Sequence, residues 1–409
     1  MNRHPLHLIC RVTSVAREKG MSLVELMVGL SIGMVLTLGL FTMIANTSQT
    51  FKVQDDFARM QENATAALRF IGEAVRSAGF FGYARQVGTI TNPTSAPVNT
   101  AGDCGSTGGP IANPPVLNWA LDFTTPLAVY TGLNSTIVNA VFPCIRQTNF
   151  KDGVYSAAQL PNANPILVTR AAFGYRIPDI APLGNLILDL AAQTDYKTTV
   201  YLQSDPNAGL IFLGADFANL KAAAVTRKNN LLQDIDIFEY RVGVYYIRPC
   251  SRPGLAPPNC QRDDDGGQPI PTLVRQELSA GTMVEVPLVE GIELISYTFG
   301  IDDAPAAPNG FASGTGDGIP DRYMVNPLST DWANVVSVRV AVLVRATTAD
   351  ATYDDRSKTY DLNGDGIPDF RCIDYLGQLP GQSPLACNYK RKVFTQQFQL
   401  RNVAQRRGG

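Results

Sequence analysis

Lys19-Gly20-Met21-Ser22-Leu23-Val24-Glu25 opens onto a run, Leu26 to Phe51, that contains no charged residue. From Leu26 to Ala45 that run is almost entirely apolar or small. About twenty helical residues rise roughly 30 Å, the thickness of the hydrocarbon core of a bilayer. The stretch therefore predicts a membrane-spanning helix, and no later segment of the chain has comparable length. Glu25 sits at the edge of the apolar run with no Lys or Arg beside it. A carboxylate there is costly in lipid and calls for a cationic partner supplied from elsewhere.

The segment in front is polar and basic, with Arg3, Arg11, Arg17 and Lys19, and it ends at Gly20. A secretory signal places its small-residue cleavage site after the apolar region. Here the small residue and the basic segment both precede it. Cutting after Gly20 removes the leader, keeps the helix and creates a new amine on Met21, close to Glu25. Gly20, Met21, Ser22, Leu23, Val24, Glu25 and the run behind them resemble the type IV pilin family, which includes the pseudopilins of type II secretion. The resemblance implies that a prepilin peptidase cuts after Gly20 and methylates Met21. It also implies that Glu25 pairs with the N-terminal amine of a neighbouring subunit in a helical filament. Most family members carry Phe where this chain has Met21. The plainer reading is an uncleaved signal-anchor with a stray Glu, which leaves the glycine and the lone carboxylate as coincidences.

Composition narrows the function classes. The chain has 409 residues, 45% hydrophobic, enough for one or two lobes with a real core. Removing the leader's four basic residues and Glu18 takes the net charge from −2 to −5. That charge argues against broad nucleic-acid binding. The only histidines, His4 and His7, lie in the leader. Without them the mature chain can build neither a Ser-His-Asp or Cys-His nucleophile nor a histidine-ligated metal site. The expectation is a non-enzyme. Cys10 goes with the leader, leaving Cys104, Cys144, Cys250, Cys260, Cys372 and Cys387. Six cysteines allow about 15 pairings, so connectivity does not follow from sequence. Local closure of 104 with 144, 250 with 260 and 372 with 387 is the simplest arrangement. An even count in an exported domain suits an oxidising periplasm or cell exterior.

Behind the membrane run, Phe57, Met60, Ala64, Ala67, Leu68, Ile71, Val75 and Ala78 recur at steps of three and four, one face of a helix. With no proline between Met21 and Asn92, one helix is expected over 21–82, its membrane half 21–45, ended by Gly79 and Gly82. Residues 83–230 read as an irregular, β-rich inserted lobe. Strand candidates there are Ile137–Phe142, Ile166–Tyr175, Thr198–Gln203 and Leu210–Leu213, with Leu186–Ala192 ambiguous. From 231 to 409 alternation is clearer. Phe238 to Tyr246 and Val336 to Val344 show the period of two expected of strands with one buried face. Thr272–Leu278, Val289–Phe299 and Val393–Leu400 add further strands. A long N-terminal helix on an antiparallel sheet is α+β and resembles the pilin architecture. Val289-Glu290-Gly291-Ile292-Glu293, Tyr297 to Asp302, and the ending Arg391 to Asn402 are similar to the PilW-type minor pilins and to the shorter J-type minor pseudopilins.

Gly-Asp-Gly-Ile-Pro-Asp occurs at 316–321 and again at 364–369. The second copy gives Asp361, Asn363, Asp365 and Asp369 at positions one, three, five and nine of an EF-hand-type loop. Gly366 occupies position six and the Ile367 carbonyl position seven. Cys372 stands where the bidentate Glu belongs, so the calcium ligand set is incomplete. The competing reading is a polar turn. The first copy offers only Ser313, Thr315, Asp317 and Asp321, and Asp263-Asp264-Asp265-Gly266-Gly267 reads as a solvated turn. Lys390, Arg391, Lys392, Arg401, Arg406 and Arg407 make the end basic, read as a solvated strand and tail with no nucleic-acid role. No cofactor is required, calcium being the candidate ion. The resemblance implies a minor pilin of the type IV pilus that primes assembly at the inner membrane and joins the tip complex. Its partners would be other minor pilins, the major pilin, the prepilin peptidase and a tip adhesin. A type II secretion pseudopilin and a membrane-anchored calcium-binding adhesin are the alternatives.

Overall fold

The unbroken run without proline becomes one 55-residue helix, α1 (Leu23–Ser77), in the computed structural model. That structure describes residues 20–84, 87–100, 103–104, 119–131, 144–145, 164–173, 197–226, 236–253, 260, 264–279, 282–303, 318–328, 331–375 and 387–402. The expected helix end at 82 falls earlier, at Ser77. Gly79 takes φ +77° and Gly82 φ +62°, and the Gly79 N–H leaves the helix to bond the Arg170 carbonyl at 3.0 Å. Asn402 supplies the missing donors, its Nδ2 lying 3.1–3.3 Å from the carbonyls of Arg76, Ser77 and Ala78. The last orphan acceptors of a helix are commonly met this way, by a side chain from elsewhere.

The chain divides into two compact units, Met1–Asp56 and Phe57–Gly409. The second contains two sheets. One has eight strands: β1 (Ile90–Thr91), β2 (Leu127–Tyr130), β3 (Ile166–Phe173), β4 (Val200–Ser204), β5 (Gly209–Leu213), β6 (Ile237–Arg248), β7 (Thr272–Ser279) and β8 (Thr282–Glu290). Their order is β1-β5-β4-β6-β3-β2, with β7 beside β6 and β8 beyond it. All pairs are antiparallel except β1 with β5. The twelve-residue β6 is shared: Ile237–Glu239 pair with β4, and Gly243–Arg248 with β7. A short helix, α2 (Phe217–Ala222), follows β5. The other sheet is antiparallel, in the order β10 (Arg322–Met324), β9 (Ile292–Ile301), β11 (Val335–Arg345), β12 (Arg391–Gln399).

Sequence boundaries and sheet boundaries differ. The division at 230/231 does not separate the sheets, because β6, β7 and β8 join the strands of the 83–230 stretch. The chain changes sheets at Gly291, and what reads as one strand over Val289–Phe299 is the end of β8 and most of β9. Gly291 has φ +78°, and a Cβ there would lie 2.7 Å from the Arg345 carbonyl. Only glycine tolerates both constraints. The candidates Ile137–Phe142 and Leu186–Ala192 lie outside the described residues.

Met60, Ala64, Ala67, Leu68, Ile71, Val75 and Ala78 of α1 are buried, as their spacing predicts, against Ile292, Ile295, Phe299 and the valines 338, 340, 342 and 344. Phe57 is the exception, 41% exposed. The expectation of one buried face fails for β11. Ala341 and Leu343, on its other face, are buried with Leu294 under Leu362, Phe370, Cys372 and Cys387. Those four residues, which come after β11 in the chain, cover that face, which alternation alone cannot reveal.

Candidate functional site

Gly20, Met21 and Ser22 precede α1, and Glu25 lies in its first turn. A carboxylate there complements the partial positive charge of the unpaired amides at a helix N-terminus. Behind it runs an 18-residue window of mean hydropathy 2.1, none of it buried. In water such a surface is strongly unfavourable, so lipid or neighbouring apolar helices must cover it. The polar residues in the run do not interfere. Ser31 donates to the Met27 carbonyl at 2.8 Å, Thr37 to Gly33 at 2.6 Å and Thr42 to Gly39 at 2.8 Å. Each hydroxyl is thereby satisfied within the helix, as a lipid environment requires. By length and composition this is the one helix among the described residues able to cross a membrane.

The Asp361–Asp369 loop is closed by a bridge between Tyr360 and Phe370. Asp361 accepts from the Gly364 and Gly366 amides at 2.6 and 2.8 Å, and Asp365 accepts from the Ile367 amide at 2.7 Å. Asp369 accepts from Leu362 at 2.7 Å, while Asn363 Oδ1 takes the Asp365 amide at 2.8 Å. Gly364 and Gly366 have φ +81° and +84°, which explains glycine at both places. Burial, together with the charges of Asp361 and Asp365, raises the Asp369 carboxyl against its two backbone hydrogen bonds. At position twelve, Cys372 is consumed in a disulfide. Ser313, Thr315 and Asp317 of the first copy lie outside the described residues, and Asp321 accepts from the Asp303 amide at 2.8 Å. Asp265 organises the other acidic turn, its carboxylate accepting from the Ser251, Arg252 and Ile270 amides. Among the described residues, the one set of three His, Cys, Asp or Glu atoms close enough to share an ion is Cys250, Cys260 and Asp264. Its two cysteines are bonded to each other.

The cysteines pair locally, Cys104–Cys144, Cys250–Cys260 and Cys372–Cys387, with Cα atoms 4.9, 5.6 and 5.3 Å apart. The basic ending is less solvated than the charge run suggests. Lys390 is buried on Asp350 at 2.9 Å. Arg391 is also buried, with Nε 2.6 Å from Glu293 Oε2, Nη2 3.1 Å from Glu293 Oε1 and Nη1 3.0 Å from Asp355 Oδ2. Burial would raise the Glu293 carboxyl, but Arg391 and Arg345 outweigh it and hold it below its ordinary range. Nothing in the sequence pattern marks this pairing, since its members lie about a hundred positions apart. A groove of about 230 Å³ between α1 and the eight-stranded sheet is lined by Phe70, Arg241, Tyr245 and Arg275. Its cations are paired, Arg241 with Glu239 at 2.7 Å and Arg275 with Glu277.

A membrane-length helix headed by Gly20, Met21 and Glu25, with its later turns packed on an antiparallel sheet, defines the pilin class of α+β proteins. The family model for type IV pilus-assembly protein W matches residues 259–402, and that for the prokaryotic N-terminal methylation motif matches residues 15–41. These two matches, which together span less than half of the chain, support a PilW-like type IV pilin. A solved type IV-like pilin from Thermus thermophilus is similar at 10% identity, over 55% of this chain and 98% of its own, with a TM-score of 0.18. A likeness of that size carries no argument. No curated protein sequence matches the chain.

Proposed function

We propose that the chain is a minor pilin of the type IV pilus that primes assembly at the inner membrane and takes its place in the tip complex. Prepilin peptidase cuts behind Gly20 and methylates Met21. The exposed apolar half of α1 then packs against other minor pilins and the major pilin, and Glu25 pairs with a neighbour's N-terminal amine. The observation that carries this reading is the placement of Glu25. It stands in the first turn of a fully exposed apolar helix, five residues into the cleaved chain, with no cation beside it. A carboxylate so placed is costly in lipid until a cation meets it, and in a filament a neighbour's N-terminal amine can do so.

The test is the mass and N-terminal sequence of the protein from native membranes, combined with Glu25→Ala. The expected result is a chain beginning at N-methylated Met21, and a Glu25→Ala variant that is processed but fails to enter filaments. Retention of residues 1–20 would refute the prepilin route and favour the membrane-anchored adhesin. Loss of exoprotein release rather than of pili on deletion would assign the chain to type II secretion.

The Asp361–Asp369 loop is assigned a subsidiary role as a weak structural calcium site. This reading rests on Asp361, Asn363, Asp365, Ile367 and Asp369 at ligand spacing.

A further inference from the structure

β12 is an edge. Its inner side pairs with β11 from Arg391 to Gln399 without a register shift, and among the described residues no strand pairs with its outer side. The Leu400 N–H bonds the Val336 carbonyl at 2.9 Å, and the Lys390 carbonyl accepts the Ala346 N–H at 2.9 Å. Even-numbered residues therefore point their backbone groups inward. Val393, Thr395, Gln397 and Gln399 point theirs outward, where no backbone partner among the described residues meets them. Natural sheets guard such edges with proline, bulges, inward charges or very short strands. The other edges obey: β1 has two residues, β2 four and β10 three, and β8 carries Pro287 and a register shift at Leu288. Val393-Phe394-Thr395-Gln396-Gln397-Phe398-Gln399 has none of these devices, and Thr395, Gln396, Gln397 and Gln399 are exposed.

We infer that the outer edge of β12 accepts an extended segment of another polypeptide as a fifth strand of the four-stranded sheet. That segment is uncharged through its middle and acidic at its ends. The main-chain groups provide the attraction, as in other strand-addition complexes. The flanks provide the choice of partner, because exposed Lys392 and Arg401 bracket the uncharged stretch and no carboxylate side chain lies within it. A second copy added antiparallel would set these cations beside one another, and like charges directly opposite are unfavourable. A strand with Asp or Glu at its ends meets both.

The full chain in detergent, carrying all three disulfides, provides the test. Amide hydrogen exchange is read residue by residue, with and without a synthetic strand of alternating Thr and Val flanked by Asp. The amides of Val393, Thr395, Gln397 and Gln399 should slow at least tenfold, while those of Phe394, Gln396 and Phe398 stay as they were. A Lys-flanked version of the same strand should bind at least tenfold more weakly. Thr395→Pro removes one outward donor without touching the ladder to β11 and should abolish the slowing. Gln399→Pro serves the same purpose should the first variant not fold. No slowing at the odd positions, or equal binding of the Lys-flanked strand, overturns the inference. Slowing that grows with protein concentration in the absence of the strand makes a second copy the occupant and overturns it equally.

Discussion

Arg391→Ala should be among the most damaging single substitutions in the Phe57–Gly409 unit. The Arg391 side chain is 2% exposed, and it faces Glu293 at 8% and Asp355 at 0%. Removing it withdraws two hydrogen bonds from Glu293 and one from Asp355, leaving Arg345 at 3.7 Å and Lys358 at 4.0 Å as poorer substitutes. Deleting one partner of a buried ion pair costs about 3–5 kcal/mol, because the remaining charge stays desolvated. Thermal unfolding of the full chain at pH 7, followed by circular dichroism, should show a midpoint lower by roughly 4–7 °C. The pH dependence gives a second reading. The folded Glu293 carboxyl lies below its ordinary value, so its contribution to stability is complete above about pH 4.5 and is lost as pH falls through the folded value. Native protein and variant should therefore converge in acid, where protonation also relieves the carboxylates stranded in the variant. A deficit under about 1 kcal/mol at pH 7, or one that persists undiminished to pH 3, would show that these charges are solvated and refute the reasoning.

Replacing Cys372 and Cys387 together by Ser opens a loop with a sequence separation of 15, which costs about 3 kcal/mol in denaturant unfolding. It should also expose the segment around Phe370 to limited proteolysis. Gly291→Ala places a methyl group 2.7 Å from the Arg345 carbonyl at φ +78°, a strain of about 1–3 kcal/mol measurable in the same assay. Calcium should bind the 361–369 loop with a dissociation constant of about 10⁻⁴–10⁻³ M, as extracellular modules with few ligands do. Because the Asp369 carboxyl is raised, isothermal titration should find affinity falling as acid protonates it, and Asp361→Asn should abolish the heat of binding.

The helix was the most legible element, because a charge-free run, a missing proline and a three-four stripe all agree on it. The later strands were legible where Val and Tyr alternate, as in β6 and β11. Sheet membership was not. Strand pairing is set by contacts far apart in sequence, and neither the sharing of β6 between β4 and β7 nor the switch of sheets at Gly291 leaves a local periodic signal. Gly291 belongs to the stretch that resembles the PilW-type pilins, but nothing in that resemblance says that its positive φ divides β8 from β9. Gly20, Met21 and Glu25, for which the processing and pairing roles are proposed, stand out because the pattern around them is local, and the N-terminal methylation motif matches that stretch. The Glu293–Arg391–Asp355 group could not, since Arg391 reads as one member of a basic tail until β9 and β12 are seen in one sheet.

The contacts of residues 398–402 with the end of α1 also bear on the order of events during folding. Phe398 fills the space above Gly72, and Asn402 closes the carbonyls of Arg76 to Ala78 across more than three hundred positions of chain. Until the final strand has joined its sheet, the stripe from Met60 to Ala78 lacks part of the surface it lies against. Contacts of such long sequence separation form slowly. The folding chain therefore passes through an interval in which its helix is complete and the core face of that helix is still open to whatever apolar surface it meets.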